Sequence, residues 1–190
     1  VSCKIIVTQY ISLDGIIEDP VGMEASGLGD WTGPFSRGPE GDRLKHEELF
    51  AASALLLGRR TYEAFAAVWP QVTDDTGFAA RINTLPKHVL SGTLASGAWA
   101  QTRILQGDAV RQVAALKARC DGDLLVYGSA ALLHALIPAG LVDGYRLMVY
   151  PVALGRGKTL FPQGAGVRLR LREVRPLNDG IVWMEYAAAA

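Results

Sequence analysis

Leu-Leu-Val-Tyr-Gly-Ser-Ala-Ala-Leu-Leu, residues 124–133, reads as a buried strand that turns into a helix across two small residues. Leu124 to Tyr127 are apolar without alternation, the pattern of a strand covered on both faces. Gly128 and Ser129 end the run, and the helix they open extends through Leu136. The sequence repeats this order upstream. Ala-Leu-Leu-Leu at 54–57 ends at Gly58, and a helix over 61–68 follows. A third strand at 87–90 runs into Ser91-Gly92-Thr93. Strands that alternate with helices require crossovers, and crossovers build a parallel sheet.

Working outward, β-branched residues mark a first strand over 3–11, and strands are also expected over 99–105 and 145–152. Residues 42–53 read as a helix with Asp42 as N-cap, and 76–84 as a short helix ended before Pro86. Residues 108–119 form an amphipathic helix capped by Asp108, with Val110, Val113 and Leu116 on one face. The last strands, 167–174 and 181–187, are joined by Asn178-Asp179-Gly180, a hairpin turn sequence. Residues 187–190 read as a frayed tail. The fold expected is α/β in three layers, α/β/α, with a mainly parallel central sheet and antiparallel C-terminal strands. One domain spans 1–190. Residues 14–41, rich in Gly, Pro and acids, are too long for an ordinary connection and read as a functional loop or lid.

The 190 residues are 49% hydrophobic, enough to form a core unaided. Nineteen basic and 19 acidic side chains cancel, which argues against general nucleic-acid binding. No apolar run has the length of a membrane span. The opening Val-Ser-Cys-Lys-Ile-Ile-Val lacks the signal-peptide pattern, and the absence of an initiating Met points to processing or to trimming of the chain. Cys3 and Cys120 are isolated; they can pair, but form neither a disulfide framework nor a metal half-site. A reducing cytoplasm is therefore expected. Gly157-Lys158-Thr159 lacks the first glycine of a P-loop, since Val152 stands there. His46, His88 and His134 have no ligand spacing, so no metal is expected. Neither a Gly-x-Ser-x-Gly elbow nor a Gly-x-Gly-x-x-Gly fingerprint occurs.

What remains is a set of turns at one edge of the sheet, where open α/β proteins bind ligands. A helix beginning at Gly128-Ser129 offers free N–H groups to a phosphate; the plainer reading is a turn that needs a small residue. Gly58, Arg59, Arg60 and Thr61 repeat the arrangement with two guanidinium groups, or else present solvated surface arginines. Ser91 adds a hydroxyl. Asp14 is the first candidate for a proton donor, and alternatively stabilises its own Asp-Gly turn. Glu18, Glu40 and Asp42 lie on the same segment. Trp31 and Phe35 either stack on a flat heterocycle or pack the loop down.

Ile-Ser-Leu-Asp-Gly (11–15), Leu-Gly-Arg-Arg-Thr-Tyr-Glu (57–63), Leu-Pro-Lys-His-Val-Leu-Ser (85–91), Tyr-Gly-Ser (127–129), Gly-Leu-Val-Asp (140–143) and Pro-Val-Ala-Leu-Gly-Arg-Gly-Lys-Thr-Leu-Phe (151–161) occur in order. Together they resemble the reductase domains of riboflavin biosynthesis, which are similar in fold to dihydrofolate reductase. The resemblance runs from about residue 4 to 186 and implies NADPH as hydride donor. It implies that Arg59, Arg60 and Thr61 hold the cofactor's phosphates, with Ser91 beside the 2′-phosphate, and that Gly128, Ser129 and Ala130 cradle the pyrophosphate. Ser12 to Gly15, with Leu154 and Gly155, would lie near the nicotinamide. The family often has two glycines at the pyrophosphate turn, where this chain has Gly128 and Ser129. Trp31, Phe35 and Asp42 are expected to face a small-molecule substrate, and relatives commonly form homodimers; residues 145–152 and the final strands are the expected interface, or else 145–152 is central core. Folate reduction is one alternative. Others are a nucleotide-binding module without catalysis, and a structural protein whose glycine turns are only topology.

Overall fold

The computed structural model describes residues 3–189. In chain order the elements are β1 (Ile5–Ser12), α1 (Gly38–Ala51), β2 (Ala54–Gly58), α2 (Arg59–Val68), α3 (Phe78–Thr84), β3 (Lys87–Leu90), β4 (Thr102–Leu105), α4 (Ala109–Lys117), β5 (Leu124–Tyr127), α5 (Ala130–Leu136), β6 (Gly144–Tyr150), β7 (Leu169–Pro176) and β8 (Val182–Ala188). All eight strands join one sheet, in the order β4-β3-β2-β5-β1-β6-β8-β7. β4 through β6 are parallel; β8 runs antiparallel to both β6 and β7.

The uninterrupted apolar runs follow from burial on both faces. Ile6, Leu55, Leu57 and Leu125 pack with Leu49 of α1, Tyr62 of α2 and Ile82 of α3. Their neighbours Ile5, Val7, Leu56, Leu124 and Val126 point the other way, onto Val113 and Leu116 of α4 and Leu132, Leu133 and Leu136 of α5. A third cluster, with Met148, Tyr150 and Trp183, lies beneath the long segment that precedes α1. Asp108 caps α4, its carboxylate accepting from the Arg111 N–H at 2.8 Å. The hairpin expected at 178–180 joins β7 to β8, with Asp179 and Gly180 both at positive φ.

Several expectations need correction. α1 begins at Gly38 and not at Asp42, because Pro39 supplies a first-turn residue with φ already helical. Asp42 therefore lies within the helix, exposed and paired with Arg37 Nε at 2.6 Å, and caps nothing. Residues 14–37 are not an open lid. Ile17 N–H donates to the Lys158 carbonyl at 2.9 Å, and the buried Asp19 carboxylate accepts from the N–H groups of Glu24 and Ser26. β8 reaches Ala188, and Ala189 N–H donates to the Arg168 carbonyl at 2.9 Å. The frayed tail is thus ordered to 189, and residue 190 lies outside the described residues. β6 is central, between β1 and β8, and belongs to the core. Cys3 and Cys120 are joined as a disulfide, with Cα atoms 5.6 Å apart. Their separation of 117 residues left no local sign of the pairing. Among the described residues, no helix is long and apolar enough to cross a membrane.

Candidate functional site

β2 and β5 are neighbours in the sheet, yet α2 leaves β2 toward one face and α5 leaves β5 toward the other. The helices diverge and open a crevice beyond the strands' carboxyl ends, the place where sheets of this kind bind ligands. The turns at Gly58, Ser91 and Gly128 all border this edge, in a groove of about 560 Å³. Gly58, Arg59, Arg60, Thr61, Ser91, Gly128, Ser129 and Ala130, all expected from the sequence, line it. So do Ile17, Glu18, Glu24 and Lys158, which lie in or against the long loop.

Hydrogen bonds fasten the two central turns to each other. Gly58 N–H donates to Ser129 Oγ at 2.9 Å, and that hydroxyl donates to the Tyr127 carbonyl at 2.8 Å. Ser129 N–H donates to Thr61 Oγ1 at 2.9 Å, and Thr61 Oγ1 donates to Glu24 Oε1 at 3.3 Å. Gly128 sits at φ +49°, and a Cβ there would lie 2.7 Å from Thr61 Oγ1. Both conformation and space therefore demand glycine, and the groove wall at this point is bare backbone. Arg59 and Arg60 are exposed; Arg59 makes one surface pair, with Glu63 Oε2 at 3.0 Å. Ser91 Oγ accepts from the Leu94 N–H at 3.0 Å and so shapes its own turn.

Thr61, Gly128 and Glu24 also line a second, larger cavity of about 960 Å³ under α1 and the long loop. Its walls include Tyr10, Phe35, Phe65 and Trp69, and Asp42 stands at its rim. At its base is a buried polar cluster that the sequence reading missed. Lys45 Nζ donates to Thr8 Oγ1 at 2.7 Å and pairs with Glu48 Oε1; Thr8 Oγ1 donates to the same carboxylate oxygen at 2.7 Å. The Lys45 ammonium lies 5.0 Å from the Tyr10 ring centroid and 5.2 Å from that of Tyr127. Burial pulls Lys45 below the ordinary lysine range, against the opposing pull of the Glu48 carboxylate. Arg37 hydrogen-bonds the Tyr10 hydroxyl, whose pKa burial pushes up to about 12. A signal for the cluster was present: Leu44, Lys45, Glu48 and Leu49 form one helical stripe, with two charges inside it.

Some expected site residues are not gathered here. Ser12, Asp14, Gly15, Leu154 and Gly155 line neither depression. They form a clip of their own. Asp14 accepts from Ser12 Oγ at 2.5 Å, from Gly155 N–H at 2.7 Å and from Leu154 N–H at 3.1 Å. The Ser12 hydroxyl, with those two N–H groups, holds the Asp14 carboxyl down at about 2. A carboxylate so fully occupied as an acceptor is unsuited to donate a proton near neutrality. Trp31 is buried, its Nε1–H donates to the Glu18 carbonyl at 3.0 Å, and it packs edge-on against Tyr150. It anchors the loop, while Phe35 does reach the cavity.

A mainly parallel α/β/α sheet with an antiparallel C-terminal hairpin and a crevice between β2 and β5 is the architecture of dihydrofolate-reductase-like proteins. The chain belongs to the RibD C-terminal domain family, which it matches over residues 3–183. It is 27% identical to the uncharacterized protein YyaP of Bacillus subtilis over 187 residues, 96% of this chain and 94% of that one. Its fold is similar to that of a putative riboflavin biosynthesis protein from Shewanella sp. PV-4, with a TM-score of 0.78 and 19% identity over 98% of this chain and 99% of the other. A dihydrofolate reductase from Enterococcus faecalis, crystallised with NADP(H), superposes with a TM-score of 0.59 and 14% identity, covering 98% and 97% of the two chains.

Proposed function

We propose that this protein is an NADPH-dependent reductase of the riboflavin-biosynthesis type, acting on a carbonyl or imine of a small, flat heterocycle. The observation that carries the reading is the meeting of a groove bordered by backbone turns and arginines with a larger, aromatic-lined cavity at Thr61 and Gly128. A dinucleotide needs an extended bed with bare backbone and cations, and a hydride acceptor needs an adjoining enclosure that excludes water. The residues present fit that cofactor. Gly128 leaves room that a Cβ would fill, Ser129 and Ala130 carry the turn into α5, and the exposed Arg60, with Arg59 exchanging its surface pair to Glu63, would grip phosphate bidentately. Ser91, which lines the groove, would stand beside the cofactor's 2′-phosphate. NADPH bound there supplies the hydride. Ser12, Asp14, Gly15, Leu154 and Gly155 act indirectly, by holding the loop and the 151–161 segment together. Phe35 and Asp42 face the substrate's side of the junction.

Titration with NADPH and with NADH, followed by quenching of the tryptophans, tests the reading. Saturable binding with NADPH preferred is expected. Arg59→Ala with Arg60→Ala should weaken NADPH by about 2–3 kcal/mol, from two lost charge-assisted contacts, and abolish the preference. Folded protein that binds neither nucleotide would overturn the proposal. Turnover is then sought with 5-amino-6-(5-phosphoribosylamino)uracil and with dihydrofolate. NADPH binding without turnover of any acceptor would favour a nucleotide-binding module. We assign the homodimer contact to β7, an edge strand with Leu171 and Val174 exposed; sedimentation of Leu171→Glu against wild type tests it.

A further inference from the structure

We propose that Lys45 is the proton donor of this reductase, delivering a proton to the nitrogen or oxygen of a flat imine or carbonyl whose carbon takes the hydride. The inference rests on the reductase reading and adds to it a residue and the chemistry of the acceptor.

Two buried lysines in this protein allow a comparison. Lys87 Nζ donates to the carbonyls of Asn83 and Leu85 at 2.8 Å and of Ala100 at 3.0 Å, so all three of its protons are engaged. That lysine is a structural pin. Among the described residues Lys45 has only Thr8 and Glu48 as acceptors, and its remaining hydrogen is left toward the rings of Tyr10 and Tyr127. Lys45, Thr8 and Tyr127 line the larger cavity, whereas Glu48 does not. The carboxylate thus stands behind the ammonium and steadies it, as a positioning residue.

The cluster is also incomplete. Glu48 Oε2 and the Tyr127 hydroxyl are buried and have no hydrogen-bond partner among the described residues. Buried polar atoms are nearly always partnered, so the Tyr127 hydroxyl, which belongs to a residue lining the cavity, points to a ligand that completes the cluster, whereas Glu48 Oε2 lies behind the ammonium. An acceptor ring with a hydrogen-bonding atom at its edge meets the need. Tyr127 is followed directly by Gly128, which lines both depressions, so the cluster stands next to the junction where hydride acceptor and cofactor would meet.

The groups around Lys45 that govern its charge are Glu48 on α1, Arg37 just before α1, Tyr10 on β1, Tyr127 on β5 and Arg146 on β6. Glu48 is the one acid in contact, against two cations. Three acids are held in other roles: Asp14 is pinned as an anion, Asp42 is tied to Arg37, and Glu24, which lines both depressions, accepts from Thr61. In the step, the acceptor's C=N or C=O π bond breaks as hydride adds to carbon. The Lys45 N–H bond breaks as the proton passes to nitrogen or oxygen, leaving a neutral amine that water in the cavity reprotonates. The two electrons come from the reduced nicotinamide, which ends oxidised.

The first test needs no turnover. The intact protein is treated with 4-carboxybenzaldehyde and cyanoborohydride at mildly alkaline pH, and modified lysines are mapped by peptide mass spectrometry. Alkylation of Lys45, with Lys87 untouched, is expected. Modification confined to exposed lysines such as Lys4 would overturn the proposal. In the second test, dihydrofolate serves as the probe imine. Lys45→Met should lower kcat about 100-fold while the NADPH Kd stays within about twofold, since Lys45 does not line the cofactor groove. Lys45→Met with Glu48→Gln removes the stranded carboxylate, keeps the fold, and should stay as inactive. Wild-type kcat should fall as pH rises through the lysine's lowered pKa, a limb absent from both variants. Wild-type turnover by the double variant would overturn the proposal. Failure of wild type to bind NADPH would overturn the reductase reading beneath it, and the titration reads that separately.

Discussion

Ser129 stands at φ 60° and ψ 41°, left-handed backbone that disfavours a residue with a side chain by about 1–2 kcal/mol. Its hydroxyl offsets this by binding Gly58 N–H and the Tyr127 carbonyl together, so the β2 and β5 turns are locked to each other. This explains how serine serves where the resemblance leads one to expect a second glycine, and no local pattern could reveal it because Gly58 is 71 residues away. Glu24 was equally hidden. It reaches the groove only because Asp19 folds the loop around it, and its carboxyl faces Thr61 beside the turn proposed to seat the pyrophosphate. Burial, then the Asp19 carboxylate, raises its pKa. An anion next to bound phosphates is unfavourable by roughly 1 kcal/mol at a water-like dielectric. Glu24→Gln should therefore tighten NADPH binding about fivefold, with the gain shrinking in high salt. Acidification that protonates Glu24 should tighten wild type and leave the variant unchanged. Fluorescence titration across pH and salt checks this, and weaker binding by Glu24→Gln would show that the carboxylate orders the site instead.

At the level of elements, the interior strands were legible because unbroken apolar runs have one explanation in a sheet covered on both faces. β3 and β5 fall where the sequence put them, and α4 is capped as expected. The start of α1 was misjudged because Asp42 satisfies a capping pattern that Pro39 had already made unnecessary. The long segment could not be read, since its contacts run to residues 151–161 and carry no local periodicity. α1 also holds the most informative conflict between pattern and charge, with Lys45 and Glu48 5% and 3% exposed on its buried stripe. Removing one member of such a pair strands the other's charge, which typically destabilises by about 3–5 kcal/mol, whereas removing both together is far milder. Lys45→Met and Glu48→Leu should each lose stability of that order in urea unfolding. The combined variant should recover most of it. Additive losses in the double variant would mean that the two side chains contribute independently and that the pair is not the unit argued here.

Across the whole molecule, the two ends of the parallel strands have divided their tasks. The groove-lining turns at Gly58, Ser91, Gly107 and Gly128 lie at the carboxyl ends of β2, β3, β4 and β5, whereas Cys3 precedes β1 and Cys120 lies just before β5. The disulfide thus staples the end of the sheet away from the site, and the argument from unpaired cysteines to a reducing compartment no longer holds. Closing a loop across 117 residues restricts the unfolded chain strongly, by up to about 5 kcal/mol in the chain-entropy account. Cys120→Ser should therefore lower unfolding stability by several kcal/mol while leaving the NADPH Kd unchanged, because the crevice between α2 and α5 is held by Ser129, Thr61 and Gly58 and not by the staple. Intact-mass measurement with and without reductant establishes the bond, and urea unfolding of both forms gives its contribution. Equal stability of oxidised wild type and Cys120→Ser would show that the core around Ile5, Val7 and Leu116 holds this end of the sheet unaided. A loss of NADPH binding would show instead that the two ends are mechanically coupled through β1 and β5, which pair in register from Ile5–Leu124 to Thr8–Tyr127.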